Sequence, residues 1–191
     1  RLYCEYGIDY VRVGIGSGNV CTTTTNTSIH KTVVELLKEC GDIQQEMKDN
    51  NEFYTEIIAD GGLSSYKDII IALSLGANYV MLGNLMNQCI EACGQKYYLN
   101  IPITDSVAKF LYNKGCKIKI KYRGMSTTEV QKSWGRQILR ASEGRKKLNT
   151  VNYDIKSFKW HLDSYLRSCM SYSNILTLEE FTETSHSYST Y

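Results

Sequence analysis

Apolar positions along the chain fall into a repeated rhythm: a short continuous apolar run, a glycine-containing turn, and a longer stretch with helical spacing. The first run covers residues 8–15, turns at Gly16-Ser17-Gly18, and leads to a predicted helix over 32–38. The second covers 56–59, turns at Asp60-Gly61-Gly62, and leads to a helix over 66–75. The third covers 79–82, turns at Gly83-Asn84, and leads to a helix over 85–92. Continuous apolar strands alternating with helices predict βαβ units and a parallel sheet covered on both faces. Within the second helix Ile69, Ile70, Leu73 and Ala77 recur at spacings of three and four. Ser64 or Ser65 is placed to cap its start, and Gly76 to end it in the left-handed conformation.

After Gly94 the rhythm changes. Residues 95–99 and 117–122 are β-rich and flank a stretch, 101–115, that holds Pro102 and reads as an inserted helical turn. Residues 95–122 are therefore expected to form a β-excursion. Helical spacing returns over 156–170 through Phe158, Leu162, Leu166 and Cys169. Residues 173–191 are expected to be a tail, and the Ser/Thr/Tyr-rich stretch 182–191 to be disordered.

Composition narrows the class. The 191 residues are 42% hydrophobic and 22% charged, with a formal net charge of +2, which describes an ordinary globular chain. That balance provides no electrostatic footprint for nucleic acid or for an acidic membrane surface. No apolar run is long enough to cross a bilayer. Seven cysteines at irregular spacing predict reduced thiols and hence a cytoplasmic protein. Cys89 and Cys93 lack the partners of a zinc site and read as two helical thiols. Trp134 and Trp160 are expected in cores or interfaces.

The chemistry concentrates in Gly14-Ile15-Gly16-Ser17-Gly18-Asn19-Val20-Cys21-Thr22-Thr23-Thr24. Alternate glycines let a backbone curl and aim successive N–H or C=O groups at a ligand. The dinucleotide pattern G-x-G-x-x-G fails at Asn19. A plain βα turn leaves unexplained a thiol just beyond it, where nearby N–H groups favour the thiolate. Asp60-Gly61-Gly62 sets a carboxylate beside bare backbone, suited to ribose hydroxyls and a phosphate, and Gly83-Asn84 repeats the device after the next strand.

These motifs resemble the IMP dehydrogenase/GMP reductase family. GSGNVCTT at 16–23 is similar to its catalytic cysteine loop. IIADGG at 57–62, GANYVMLG at 76–83 and YRGMS at 122–126 resemble later motifs in the same order, and RSCMSY at 167–172 matches more faintly. The resemblance implies the C-terminal part of a (β/α)₈ barrel, strands six to eight, with a β-excursion and a C-terminal helix. A whole barrel needs about 250 residues and eight strands, so the remaining strands are expected outside this chain.

The resemblance also implies roles. Cys21 is the nucleophile at purine C2, and Thr23 and Glu143 form the proton relay. Asn19, Asp60, Gly61, Gly62, Gly83, Asn84, Gly124, Met125, Ser126, Arg140, Ser142 and Gly144 line the nucleotide site. Met125, Leu139, Arg140 and the segment Ser168, Cys169, Met170 and Ser171 touch NADPH. Gly16, Gly18, Cys21 and Thr24 surround a potassium ion. Two features point to the reductase branch: RASEG at 140–144, and the eighteen residues between Gly124 and Glu143, too few for the long flap of a dehydrogenase. That branch implies reductive deamination of GMP to IMP by a homotetramer; a dehydrogenase or a non-catalytic nucleotide-binding remnant is the alternative. The chain departs from the family in carrying Asn19 and Asn84 where Ser or Gly is usual, and Thr24 where reductases usually carry Arg.

Overall fold

The computed structural model describes residues 1–14, 31–124, 127–139 and 146–183. The chain divides into two compact units. Of the described residues, the first comprises those up to 82 and from 162 onward, and the second those from 83 to 161.

The first unit holds a parallel sheet in the order β1 (Tyr10–Val13), β2 (Glu56–Asp60), β3 (Tyr79–Met81). Register pairs Val13 with Ala59 and Asp60 with Met81, so β2 is central. Helix α1 (Leu2–Glu5) precedes β1; α2 (Val33–Asp49) and α3 (Tyr66–Ser74) alternate with the strands as the apolar rhythm predicts. Leu37, Ile57, Ala59, Leu63, Ala72 and Ala77 form the core between helices and sheet. Among the described residues no sheet closes into a barrel.

Helices α2 and α3 each start with a reciprocal cap. The Thr32 hydroxyl accepts from the Glu35 N–H while the Glu35 carboxylate takes the Thr32 N–H, and Ser65 and Asp68 repeat the arrangement in α3. Two orphan N–H donors are thereby satisfied at each start. Helix α3 ends where expected, with Gly76 at φ +91°. Helix α2 runs eleven residues past the predicted end at residue 38, to Asp49. Its second half reads as polar in sequence because one of its two buried residues, beside Met47, is Gln44, whose amide donates to Thr55 O (3.0 Å) and Asn78 Oδ1 (2.9 Å). A satisfied amide does the packing that apolar spacing usually signals.

The tail expectation is corrected in part. Residues 173–183 are folded: α8 (Leu178–Glu183) follows α7 (Ile155–Tyr172), and Phe181 and Ile175 are buried against Ile70 with Leu73, Leu166, Cys169 and Met170. Two apolar anchors suffice to dock this segment, too few to register as a periodic pattern. Residues 184–191 lie outside the described residues.

The second unit opens with α4 (Asn84–Asn87) and carries an antiparallel sheet in the order β5 (Ile101–Ile103), β4 (Lys96–Tyr98), β6 (Lys119–Arg123), β7 (Lys146–Thr150). The excursion thus extends past the predicted limit of residue 122 by recruiting β7. The expected inserted turn is α5 (Asp105–Asn113), capped by Thr104, and α6 (Thr128–Ser133) follows β6. Ile90, Ala108, Ile118, Ile120 and Val151 form this unit's core. Helix α4 stops short of the predicted residue 92 because the Ile90 N–H donates to Tyr153 O and Cys89 bridges to Tyr153, drawing the chain out of helical geometry. Cys89 and Cys93 are therefore not helical. Trp134 and Trp160 are exposed rather than packed in a core. The six described cysteines are unpaired thiols, and no described helix is long and apolar enough to cross a membrane.

Candidate functional site

In the first unit the C-terminal ends of β1 and β2 meet at Gly14 and Asp60. A Cβ built on Gly14 lies 1.8 Å from the Asp60 carbonyl oxygen, and Gly14 has φ +154°. Only glycine admits that approach. The Asp60 carboxylate pairs with the Arg12 guanidinium at 3.3 Å, and Gly61 and Gly62 follow with φ of +97° and +75°. A carboxylate acceptor thus stands at a strand end, followed by backbone in a conformation side chains rarely adopt, as the sequence implies.

The second unit builds a different set of contacts around the start of α4. Gly83 lies against the Tyr122 hydroxyl: an added Cβ is 2.4 Å from the phenolic oxygen. Asn149, on β7 and 5% exposed, donates through Nδ2 to Asn84 Oδ1 (3.0 Å) and to Asn87 Oδ1 (2.8 Å). Asn87 Nδ2 in turn donates to Lys121 O (3.4 Å), and Tyr153 Oη to Leu85 O (2.9 Å). Gly124 closes the end of β6, its carbonyl accepting from the Thr127 N–H. The buried Thr127 hydroxyl has no hydrogen-bond partner among the described residues.

Beside Gly83 opens a cleft of about 700 Å³, lined in part by Asn87, Lys121, Tyr122, Arg123 and Glu129. Glu129 is its electrostatic centre. One carboxylate oxygen takes Lys121 Nζ and an Arg123 guanidinium N, each at 2.9 Å, and the other takes Lys146 Nζ at 2.5 Å. The Lys146 hydrogen bond, then that of Lys121, holds the Glu129 carboxyl down at about 2 from its ordinary 4.5. Arg123 immediately precedes Gly124-Met125-Ser126, and Lys146 immediately follows 140–145, so one carboxylate ties together the chain ends flanking two motifs. Because its folded pKa is depressed, Glu129 contributes stability that is present above its unfolded value. That contribution is lost as pH falls from about 4.5 through about 2. The melting temperature of Glu129→Gln is expected to fall less than that of the parent over this range, a comparison thermal scans at stepped pH make directly.

The sequence-implied residues divide by location. Asp60, Gly61 and Gly62 lie in the first unit and Gly83, Asn84 and Gly124 in the second. The Asn84 side-chain oxygen accepts from Asn149. Leu139 is exposed. On α7, Ser168 and Ser171 are exposed, the Ser168 hydroxyl donating to Ser164 O, while Cys169 and Met170 pack against the Ile70–Phe181 cluster. Gly16, Gly18, Asn19, Cys21, Thr23, Thr24, Met125, Ser126, Arg140, Ser142, Glu143 and Gly144 lie outside the described residues. Among the described residues no group of three or more His, Cys, Asp or Glu side chains is placed to hold a metal. Glu129 and Asn149 were not singled out in the sequence; both act through partners that folding brings in from distant positions.

Cys89 shows what an unreactive thiol looks like in this chain. Burial, reinforced by Glu91 and Asp154, pushes it up to about 11, so it stays protonated at neutral pH.

The family model for the IMP dehydrogenase / GMP reductase domain matches residues 1–190. The chain belongs to the IMP dehydrogenase/GMP reductase family. It is 30% identical over 175 residues to human GMP reductase 1, covering 91% of this chain and 45% of that protein. It is 33% identical over 141 residues to GMP reductase from Onchocerca volvulus, covering 65% and 37%. It is 28% identical over 188 residues to inosine-5'-monophosphate dehydrogenase from Cryptosporidium parvum, covering 92% and 41%. The chain spans under half the length of these curated relatives.

Proposed function

We propose that the protein is a GMP reductase, converting GMP to IMP and ammonia at the expense of NADPH. The observation that carries this reading is the RASEG motif, with only eighteen residues between Gly124 and Glu143. The names of the GMP reductase relatives support it. The three parallel strands stand as strands six to eight of a (β/α)₈ barrel, whose active sites form at strand C-termini. Asp60-Gly61-Gly62 and Gly83-Asn84 both occupy that position in sequence.

In this mechanism the Cys21 thiolate adds to C2 of GMP, forming an S–C2 bond. The exocyclic amine leaves as ammonia with a proton delivered through Thr23 and Glu143, and a thioimidate remains. NADPH, when bound, supplies the hydride that C2 receives. The S–C2 bond then breaks, returning the electron pair to Cys21 and releasing IMP. Asp60 accepts hydrogen bonds from ribose hydroxyls, while Gly61, Gly62 and Gly83 leave backbone clear for the phosphate.

The exposed Ser168 and Ser171, one turn apart on α7, suit the oxygens of a dinucleotide, and with Arg140, Met125 and Leu139 would hold it. Carbonyls of Gly16, Gly18 and Cys21 with Thr24 would hold potassium. A homotetramer in the cytoplasm completes the proposal.

Following absorbance of the nicotinamide separates the readings. The reductase oxidises NADPH when GMP is added and releases one ammonia per turnover. Reduction of NAD⁺ with IMP instead would make the protein a dehydrogenase, the reading the Cryptosporidium relative favours, and silence in both assays would leave a nucleotide-binding remnant.

A further inference from the structure

The hydrogen-bond directions around Asn149 can be read outward from one fixed point. A backbone carbonyl only accepts, so the Asn87 amide facing Lys121 O must present its NH₂ there, at 3.4 Å. Its Oδ1 is then the group turned to Asn149, which must answer with Nδ2 at 2.8 Å. The same Nδ2 meets Asn84 at 3.0 Å, and the Asn84 atom that receives it must be Oδ1. The Asn84 amide is thereby left with its NH₂, two donors and no acceptor, and that group has no partner among the described residues.

We infer that Asn149 is a positioning residue that orients the Asn84 amide to donate to the phosphate of a nucleoside monophosphate. An untethered asparagine offers oxygen as readily as nitrogen, and an oxygen facing a phosphate repels it. With its oxygen occupied, Asn84 supplies the donor that a serine hydroxyl would supply at the same place. Asn149 is 5% exposed and sits on β7 opposite Ile120 of β6, so the sheet fixes its backbone while Asn87 fixes its side-chain amide. Asn84 directly follows Gly83, which packs against the Tyr122 hydroxyl and lines the cleft. The inference rests on the GMP reductase reading for the identity of the ligand.

The test compares GMP with guanosine by calorimetric titration of the full-length protein, so that the phosphate contribution is isolated. Asn149→Asp keeps the shape but can only accept, which turns the Asn84 oxygen outward. GMP binding is expected to weaken about tenfold and guanosine binding to stay within about twofold. Asn149→Val, which frees the amide to turn over without burying a charge, is expected to cost about threefold for GMP alone. Adding Asn84→Ser to Asn149→Val supplies a hydroxyl that needs no orienting partner, and is expected to restore GMP binding.

Equal losses for GMP and guanosine, unchanged GMP binding in both single variants, or no restoration in the double variant would overturn the inference. A parent protein that binds neither GMP nor IMP overturns the functional reading and the inference with it. One that binds GMP regardless of residue 149 overturns the inference alone.

Discussion

Replacing Cys21 with alanine is expected to abolish turnover, lowering kcat/KM by at least about a thousandfold. The thiol is the only side chain in the proposed mechanism that forms a bond to substrate carbon, so no neighbouring residue can substitute for it. GMP binding should survive, because Asp60, Gly61, Gly62, Gly83 and Asn84 act on the ribose and phosphate rather than on C2. The contrast with Cys89 sharpens the expectation. There burial holds the thiol at about 11, whereas Cys21 follows three glycines and is followed by four threonines. Steady-state assays with a parallel binding titration separate loss of chemistry from loss of binding. Undiminished turnover in Cys21→Ala would remove this residue from the mechanism.

The second large effect is structural. Gly14→Ala is expected to destabilise the protein by at least about 3 kcal/mol, the combined order of an overpacked contact and a strained backbone. A methyl group there would stand 1.8 Å from the Asp60 carbonyl oxygen at a φ of +154°. Neither neighbour is a flexible side-chain tip, so β1 and β2 must part at the ends that carry the site. Chemical denaturation reads this as a lowered midpoint, and an unchanged midpoint would show that the two strand ends do not meet as described.

Which parts of this architecture the sequence discloses follows from how far apart the interacting residues lie. The three strand–turn–helix units are legible because each is local: a continuous apolar run, a glycine turn, and helical spacing such as Ile69, Ile70 and Leu73. The Ser65–Asp68 capping box and the left-handed Gly76 are local as well, and both fall where expected. Features that depend on distant partners are not legible. Strand β7, Lys-Lys-Leu-Asn-Thr, has no strand-like alternation and exists because β6 pairs with it. Helix α4 ends early because Tyr153 captures the Ile90 N–H. Phe181 looks like one more residue of a polar tail until Ile70 is found against it.

The candidate site divides in the same way. Asp60, Gly61, Gly62, Gly83 and Asn84 are marked by short motifs at strand ends, and Gly61 and Gly62 take positive φ there. Glu129 is invisible in sequence: its cations come from positions 121, 123 and 146, and no periodicity links them. Asn149 reaches back 65 residues to Asn84. Electrostatic and hydrogen-bond hubs of this kind carry no spacing rule, since any fold that brings the partners together will serve.

The most direct measurement of the central claim is intact and peptide mass spectrometry of the protein incubated with GMP while NADPH is withheld. The predicted result is an adduct equal to GMP less ammonia, confined to the peptide containing Cys21. Nucleotide attached to a different cysteine, or no adduct in a preparation shown by titration to bind GMP, would contradict the account.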